Sequence, residues 1–138
     1  MPHVGELVWH ATPAAMALTY TTDLSAVRAE VEKQAREASL PERKVIDLVL
    51  AVSEVAANTV KHARSPGVLE IVRDEREVVC TIRDGGTITD PLAGRRQPAP
   101  DALEGHGLWL VHQVCDLVEM RSDRSGTTIR LHMSIPRD

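Results

Sequence analysis

Glu54-Val55-Ala56-Ala57-Asn58-Thr59-Val60-Lys61-His62 sets an acid, an amide and an imidazole four residues apart inside an otherwise apolar run. Residues four apart on a helix lie almost one above another, about 6 Å along the axis. The three side chains therefore line one polar stripe about 12 Å long. On a wheel drawn at about 100° per residue, Val45, Leu48, Val52, Val55, Ala56 and Thr59 gather on one side. Leu50, Ala57 and Val60 fall elsewhere, so the helix is apolar over most of its circumference and is expected to be buried. Asp47, Glu54, Asn58 and His62 share what remains. A buried carboxylate is costly unless something pairs with it. No basic residue stands at the centre of the stripe, with Lys44 and Lys61 at its ends or edge. The stripe reads either as the solvated face of an amphipathic helix or as the wall of a site that handles a metal and phosphates.

The elements on either side follow from periodicity. Pro41 suits a first-turn position, preceded by Ser39 or Leu40, and the helix is expected from about Pro41 to His62. Before it, Leu24, Val27, Val31 and Ala35 recur at helical spacing, with Asp23 or Ser25 as candidate caps. Val4 to Ala11 and Met16 to Thr22 read as an opening strand or hairpin, interrupted by Pro13. After Ser65-Pro66-Gly67, Val68 to Val72 and Glu77 to Arg83 form a hairpin around the charged turn Arg73-Asp74-Glu75-Arg76. Thr87 to Glu104 lacks periodicity, and a loop this long in a small domain is usually functional or disordered. A helix from Leu108 to about Cys115 follows, then strands Leu117 to Ser122 and Thr127 to Ile135 around the turn 123–126. This order predicts helices layered on one face of a mixed sheet.

Two glycine motifs carry chemistry. Asp84-Gly85-Gly86 ends a strand: an Asp there can accept from an exocyclic amine, and glycines let a planar ring approach the backbone. It is equally a routine acidic turn. Gly105-His106-Gly107-Leu108 opens a helix, where bare backbone N–H groups make an anion site or simply a flexible lead-in. It is neither a P-loop, having no Gly-Lys-Ser/Thr, nor a dinucleotide fingerprint, having no third glycine. The hydroxyls of Ser125-Gly126-Thr127-Thr128 face a ligand or complete a turn.

Composition narrows the classes. The 138 residues suit one compact domain, 1–138. With no Phe, one Tyr and two Trp, the core must be built from Val, Leu, Ile and Ala. A net charge of −4 argues against a nucleic-acid footprint. Cys80 and Cys115 each lie in an apolar run, as small buried hydrophobes do. No signal-peptide pattern or membrane-length apolar run is read, which gives the expectation of a cytoplasmic protein without a membrane partner. His3, His10, His62, His106, His112 and His132 show no zinc-site spacing.

The motifs gain meaning from their order. An acid-amide-imidazole helix, Asp-x-Gly after a strand, a loop, Gly-x-Gly-Leu opening a helix and a late Gly-Thr-Thr together resemble the ATP-binding domain shared by gyrase, heat-shock chaperones, histidine kinases and mismatch-repair proteins. Within that superfamily the single-domain length resembles the bacterial anti-sigma factor serine kinases. The resemblance covers nearly the whole chain. It implies a histidine-kinase-like ATPase fold: α+β, a two-layer sandwich of a mixed, mostly antiparallel sheet with helices on one face.

The same resemblance implies roles. Glu54 matches the general base that activates a serine hydroxyl or a water, and Asn58 the ligand that holds Mg²⁺ against the phosphates of ATP. His62 closes the same helical motif. Asp84 matches the carboxylate that binds the adenine amine, with Gly86 supporting it. Gly105, His106, Gly107 and Leu108 match the lid hinge and the helix start that meets the phosphates, and Thr127 or Thr128 the threonine near adenine. Three departures stand out. Thr87-Ile88 follows Gly86 where many relatives keep a glycine, His106 stands where many carry Arg, and the lid bears Arg95-Arg96. A neutral imidazole offers phosphate less charge than a guanidinium.

The function implied is an ATP- and Mg²⁺-dependent serine/threonine protein kinase. It would hold a sigma factor inactive and phosphorylate an anti-anti-sigma factor, as a homodimer. The competing reading is a nucleotide-gated binding module without catalysis, motivated by His106 and the missing glycine. A detached histidine-kinase catalytic domain ranks below both, because no long helical hairpin bears a phospho-acceptor His.

Overall fold

Periodicity in the sequence becomes layering in space. The computed structural model describes residues 16–62, 66–86 and 106–136, without the side chains of His62 and His106. In chain order the elements are β1 (Met16–Tyr20), α1 (Ser25–Glu37), α2 (Glu42–His62), β2 (Gly67–Arg73), β3 (Glu77–Asp84), α3 (His106–Val114), β4 (Leu117–Asp123) and β5 (Gly126–Ser134). The expected strand across Val4 to Ala11, the loop Thr87 to Glu104 with Arg95-Arg96, and Gly105 lie outside the described residues. The strands form one sheet in the order β1-β2-β3-β5-β4, and every pairing is antiparallel. The protein is α+β, with its helices on one face of this sheet.

Side chains two apart on a strand share a face. The register therefore builds apolar rows across the sheet. Leu18, Leu69, Ile82, Ile129 and Met120 form one, and Met16, Ile71, Cys80, Leu131 and Val118 the next. Onto these rows α2 lowers Val45, Leu48, Val52, Val55 and Ala56, all buried. Val27, Val31 and Ala35 of α1 complete the packing. Each such Val or Leu contributes about 1.5–3 kcal/mol on burial, so the core is aliphatic, as the dearth of aromatics requires.

The second helix is less buried than its composition predicts. Ile46 is 58% exposed, and Leu50 and Val60 are exposed too. It has three sides rather than two: a buried apolar side, an exposed apolar side, and the half-buried polar stripe between them. No helix among the described residues is long and apolar enough to cross a membrane.

Two helix ends differ from expectation. Ser39 does not open α2; it closes α1. Its φ of 66° is left-handed, and Leu40 N–H donates to Ala35 carbonyl at 3.1 Å while Ser39 N–H donates to Arg36 carbonyl at 3.0 Å. That is the Schellman pattern, with Ser where Gly is usual. Pro41 lies just before α2, its carbonyl accepting from Val45 N–H at 3.0 Å. At the start of α1 the N-cap position is Leu24, with no side-chain cap bond. Asp23 instead accepts from the Ser25 N–H at 2.9 Å, forming a turn just ahead of the helix.

The far face of the sheet is polar. Glu70, Thr81, Arg130 and Glu119 stand in one cross-strand row. Arg130 is almost wholly buried, 3.6 Å from Glu119, and Glu70 pairs with Arg83. Burial lowers the Arg130 pKa, and the Glu119 carboxylate opposes that effect. His132 bridges strands, with Nδ1 2.7 Å from Glu77 and Nε2 2.6 Å from Glu119.

Candidate functional site

Extending the apolar rows by one more step changes their chemistry. Two residues beyond Leu18, Leu69, Ile82, Ile129 and Met120 come Tyr20, Gly67, Asp84, Thr127 and Ser122, on the same helix-facing side. The sheet thus ends in a polar rim beneath the C-terminal half of α2.

Asp84 is the hub of that rim. Its Oδ1 accepts from the Gly86 N–H at 2.6 Å, the turn geometry Asp favours. Its Oδ2 accepts from the Thr59 hydroxyl at 3.0 Å, which ties the end of β3 to α2. Thr59 also lies 3.3 Å from the Val55 carbonyl, so its one proton has two acceptors. A carboxylate offers about four acceptor positions. Asp84 therefore keeps capacity for an incoming N–H donor.

Thr127 completes the cluster. Its hydroxyl donates to the Gly86 carbonyl at 2.8 Å and lies 2.8 Å from Ser122 Oγ. With the Thr127 proton committed to Gly86, Ser122 must be the donor in that pair. Thr127 is buried opposite Asp84, whereas Thr128 faces the far side of the sheet in line with Arg83 and Arg121. It lines a cavity of about 320 Å³ at the ends of β3, β4 and β5, together with Arg83, Arg121, Asp123 and Ser125, and Asp84, Gly126 and Thr127 of the rim line the same cavity. Gly126 turns the chain with a φ of 134°, and a Cβ on it would run into the Asp84 carbonyl. Only glycine fits both demands.

At the other end of the stripe, Glu54 reaches α3. A Cβ on Gly107 would overlap the Glu54 carboxylate, so that carboxylate lies directly against the first turn of α3. A helix N-terminus carries partial positive charge and unpaired N–H groups, and it favours an anion there. Asn58 stands one turn along α2 from Glu54, on the same half-buried side. Leu108 is half-buried and packs against the core. His62 and His106 take helical backbone positions, their side chains outside the described residues, and Gly105 lies outside them altogether.

Glu54, Asn58, Asp84, Gly86, Gly107 and Thr127 therefore share one end of the molecule, while Thr128 faces the other side of the sheet and lines a cavity in common with Asp84 and Thr127. Sequence reasoning missed three neighbours. In the sequence Thr59 falls only within the apolar side, although it directly follows Asn58. Ser122 and Tyr20 carried no signal beyond their strands. Tyr20 is buried to 4% exposure, and its ring lies over Gly67, where a Cβ would strike it. Burial pushes the Tyr20 pKa up, Thr59 opposes the shift, and the Asp84 charge adds to it.

The solved structures share this arrangement of layers. The RsbU and RsbW domains of Rv1364c from Mycobacterium tuberculosis match with a TM-score of 0.60 at 20% identity, over 91% of this chain and 34% of that one. The present chain thus spans about a third of that protein's length. The SiaB-SiaC complex of Pseudomonas aeruginosa gives a TM-score of 0.65 at 10% identity, covering 94% of this chain and 95% of the matched chain. The Acinetobacter baumannii histidine kinase AdeS gives 0.52 at 14% identity, over 96% and 74%. At these identities the likeness is one of fold. No curated protein matches the sequence. The histidine kinase-like ATPase domain does match, across residues 17–133, from β1 to the end of β5. That span contains the Glu54 stripe, the Asp84 hub and the Gly107 helix start, and the chain belongs to the histidine kinase-like ATPase domain family.

Proposed function

We propose that this protein is an ATP-binding anti-sigma regulator that phosphorylates serine or threonine on an anti-anti-sigma partner. The observation that carries the reading is the placement of two unlike sites along α2. Near one end of the stripe Asp84, held by Thr59 and Gly86, keeps acceptor capacity for an amine. Toward the other, Glu54 meets the N-terminus of α3. Asn58 lies between them on the same side of the helix.

The residues divide the work. Asp84 accepts from the exocyclic amine of adenine, and Gly86 and Thr127 hold the strand end in shape. The first turn of α3, opened by His106 and Gly107, receives the phosphate end. Asn58 offers a neutral oxygen, which suits a cation that takes few protein ligands and keeps water and phosphate oxygens. Mg²⁺ bound there would neutralise phosphate charge. Glu54, with no side chain at residue 107 in its way, takes the proton from the incoming hydroxyl. That hydroxyl oxygen forms the new bond to the γ-phosphorus as the bond to ADP breaks. Catalysis of this kind rests on positioning and charge rather than on covalent help from the protein.

The RsbW domain and the SiaB-SiaC complex among the structural neighbours support a regulatory setting and a protein partner. The test is transfer of labelled γ-phosphate to the cognate partner. Absence of transfer by wild type, or equal transfer by Glu54→Ala, sinks the kinase assignment.

A second reading has its own observation. Glu54 packed against Gly107 already occupies the anion-favouring helix start, and His106 brings less charge than Arg. A nucleotide-gated module without turnover would look the same. Calorimetric titration with ATP and ADP, alongside the transfer assay, separates the two: binding without transfer favours the module.

A further inference from the structure

Tyr20 belongs to the same row as Asp84 but to none of its hydrogen bonds. It ends β1 opposite Gly67, and the absence of a side chain there lets the phenol lie across the sheet toward β3. Its hydroxyl oxygen is sealed from solvent and, among the described residues, has no hydrogen-bond partner. Its polar neighbours are Thr59, close enough to act on it through a hydrogen bond once the hydroxyls align, and Asp84, which acts through its charge. A buried hydroxyl left unpaired is destabilising. A core tyrosine position with no polar task would be better filled by Phe.

The geometry points to Tyr20 as a positioning residue for base recognition, acting on Asp84 through Thr59. It rests on the ATP-binding reading above. The Thr59 proton is shared between two acceptors, the Val55 carbonyl at 3.3 Å and Asp84 Oδ2 at 3.0 Å. A Tyr20 hydroxyl donating to Thr59 Oγ1 orders the chain Tyr20 O–H to Thr59 O–H to Asp84. It commits the Thr59 proton to the carboxylate and fixes the oxygens that must meet the amine. Burial raises the Tyr20 pKa, so the phenol keeps the proton it needs to donate.

The hydroxyl thereby serves the carboxylate rather than the core. A phenyl ring at position 20 would fill the same space over Gly67 and leave the Thr59 proton shared between the Val55 carbonyl and Asp84.

The test compares wild type, Tyr20→Phe, Thr59→Val and the double variant by calorimetry with Mg-ATP and Mg-GTP, and by thermal melting. Tyr20→Phe keeps the ring over Gly67 and removes only the hydroxyl. It is expected to melt no lower than wild type yet bind ATP about 3- to 10-fold more weakly, the scale of one neutral hydrogen bond. The ATP preference over GTP is expected to narrow by the same factor. In the Thr59→Val background Tyr20→Phe is expected to cost nothing more, because the link is already cut. Unchanged ATP affinity and selectivity in Tyr20→Phe overturns this inference alone. A loss of equal size in the Thr59→Val background overturns the route through Thr59. Absence of ATP binding by wild type overturns both this inference and the ATP-site reading.

Discussion

The Glu54 carboxylate lies against the Cα of Gly107, in the space that any larger residue at 107 would need. The contact joins the middle of α2 to the first turn of α3 without an intervening side chain. Gly107→Ala must push the carboxylate aside; that carboxylate is the far end of a flexible side chain and moves at little cost, while Ala favours a helix over Gly by up to about 1 kcal/mol. The expected outcome is a melting temperature no lower than wild type and a fall in phosphoryl transfer larger than the fall in ATP affinity. Transfer at the wild-type rate would show that the carboxylate has no fixed post there.

Asp84→Asn keeps the shape of the hub and exchanges one acceptor oxygen for a donor. An amine facing it loses a hydrogen bond to a charged group. ATP affinity is expected to fall about 10- to 100-fold, the scale of such bonds. Calorimetry checks it. Equal ATP binding by the variant would remove Asp84 from base recognition.

Ser39 holds a left-handed conformation that a side chain resists, at φ 66°. Glycine adopts it freely. Ser39→Gly is expected to stabilise the fold by up to about 1 kcal/mol, because the native φ no longer opposes a Cβ. The midpoint of a urea unfolding curve should rise with its slope unchanged. A lower midpoint would mean that the gain in unfolded-chain entropy outweighs the relief.

Asp74 caps the β2–β3 turn, accepting from the Arg76 N–H at 2.7 Å and the Glu77 N–H at 2.9 Å. The Arg76 and Glu77 N–H groups hold its pKa below the ordinary 3.8, against a small opposing effect of burial. A carboxyl depressed in the folded state stabilises above its unfolded pKa, and the contribution disappears as pH falls through the folded value. The stability gap between wild type and Asp74→Ala is therefore expected to be constant near neutrality and to shrink below pH 3.8. Urea titrations at neutral pH and in acid measure it. A gap that widens on acidification would contradict the sign.

Legibility in the sequence followed the range of each interaction. The Glu54–Asn58 spacing declared itself because a helix places those residues on one side whatever else the chain does. The apolar core of α2 was visible for the same reason. Thr59 was not, because its hydroxyl finds Asp84 across 25 residues, and no local pattern marks that meeting. Sequence offers both Thr127 and Thr128, and register sets Thr127 opposite Asp84, since a strand sends neighbours to opposite faces. Ser39 misled for a chemical reason. Ser favours helix starts, and here it sits where a glycine would usually close one. The exposed Ile46 and Leu50 show the limit of composition: an apolar side of a helix need not be a buried one.

The two free thiols give the fold a clock of its own. Cys80 lies in the centre of β3 and Cys115 just past the end of α3, both buried. Burial pushes the Cys115 thiol up to about 12 and the Cys80 thiol higher still, so neither is a reactive thiolate at neutral pH while the structure is closed. A thiol reagent reaches Cys115 when the end of α3 frays, but Cys80, in the row that the helices cover, only when the helices part from the sheet. Their two labelling rates, measured on one sample, time the fraying of the helix end against the parting of the layers.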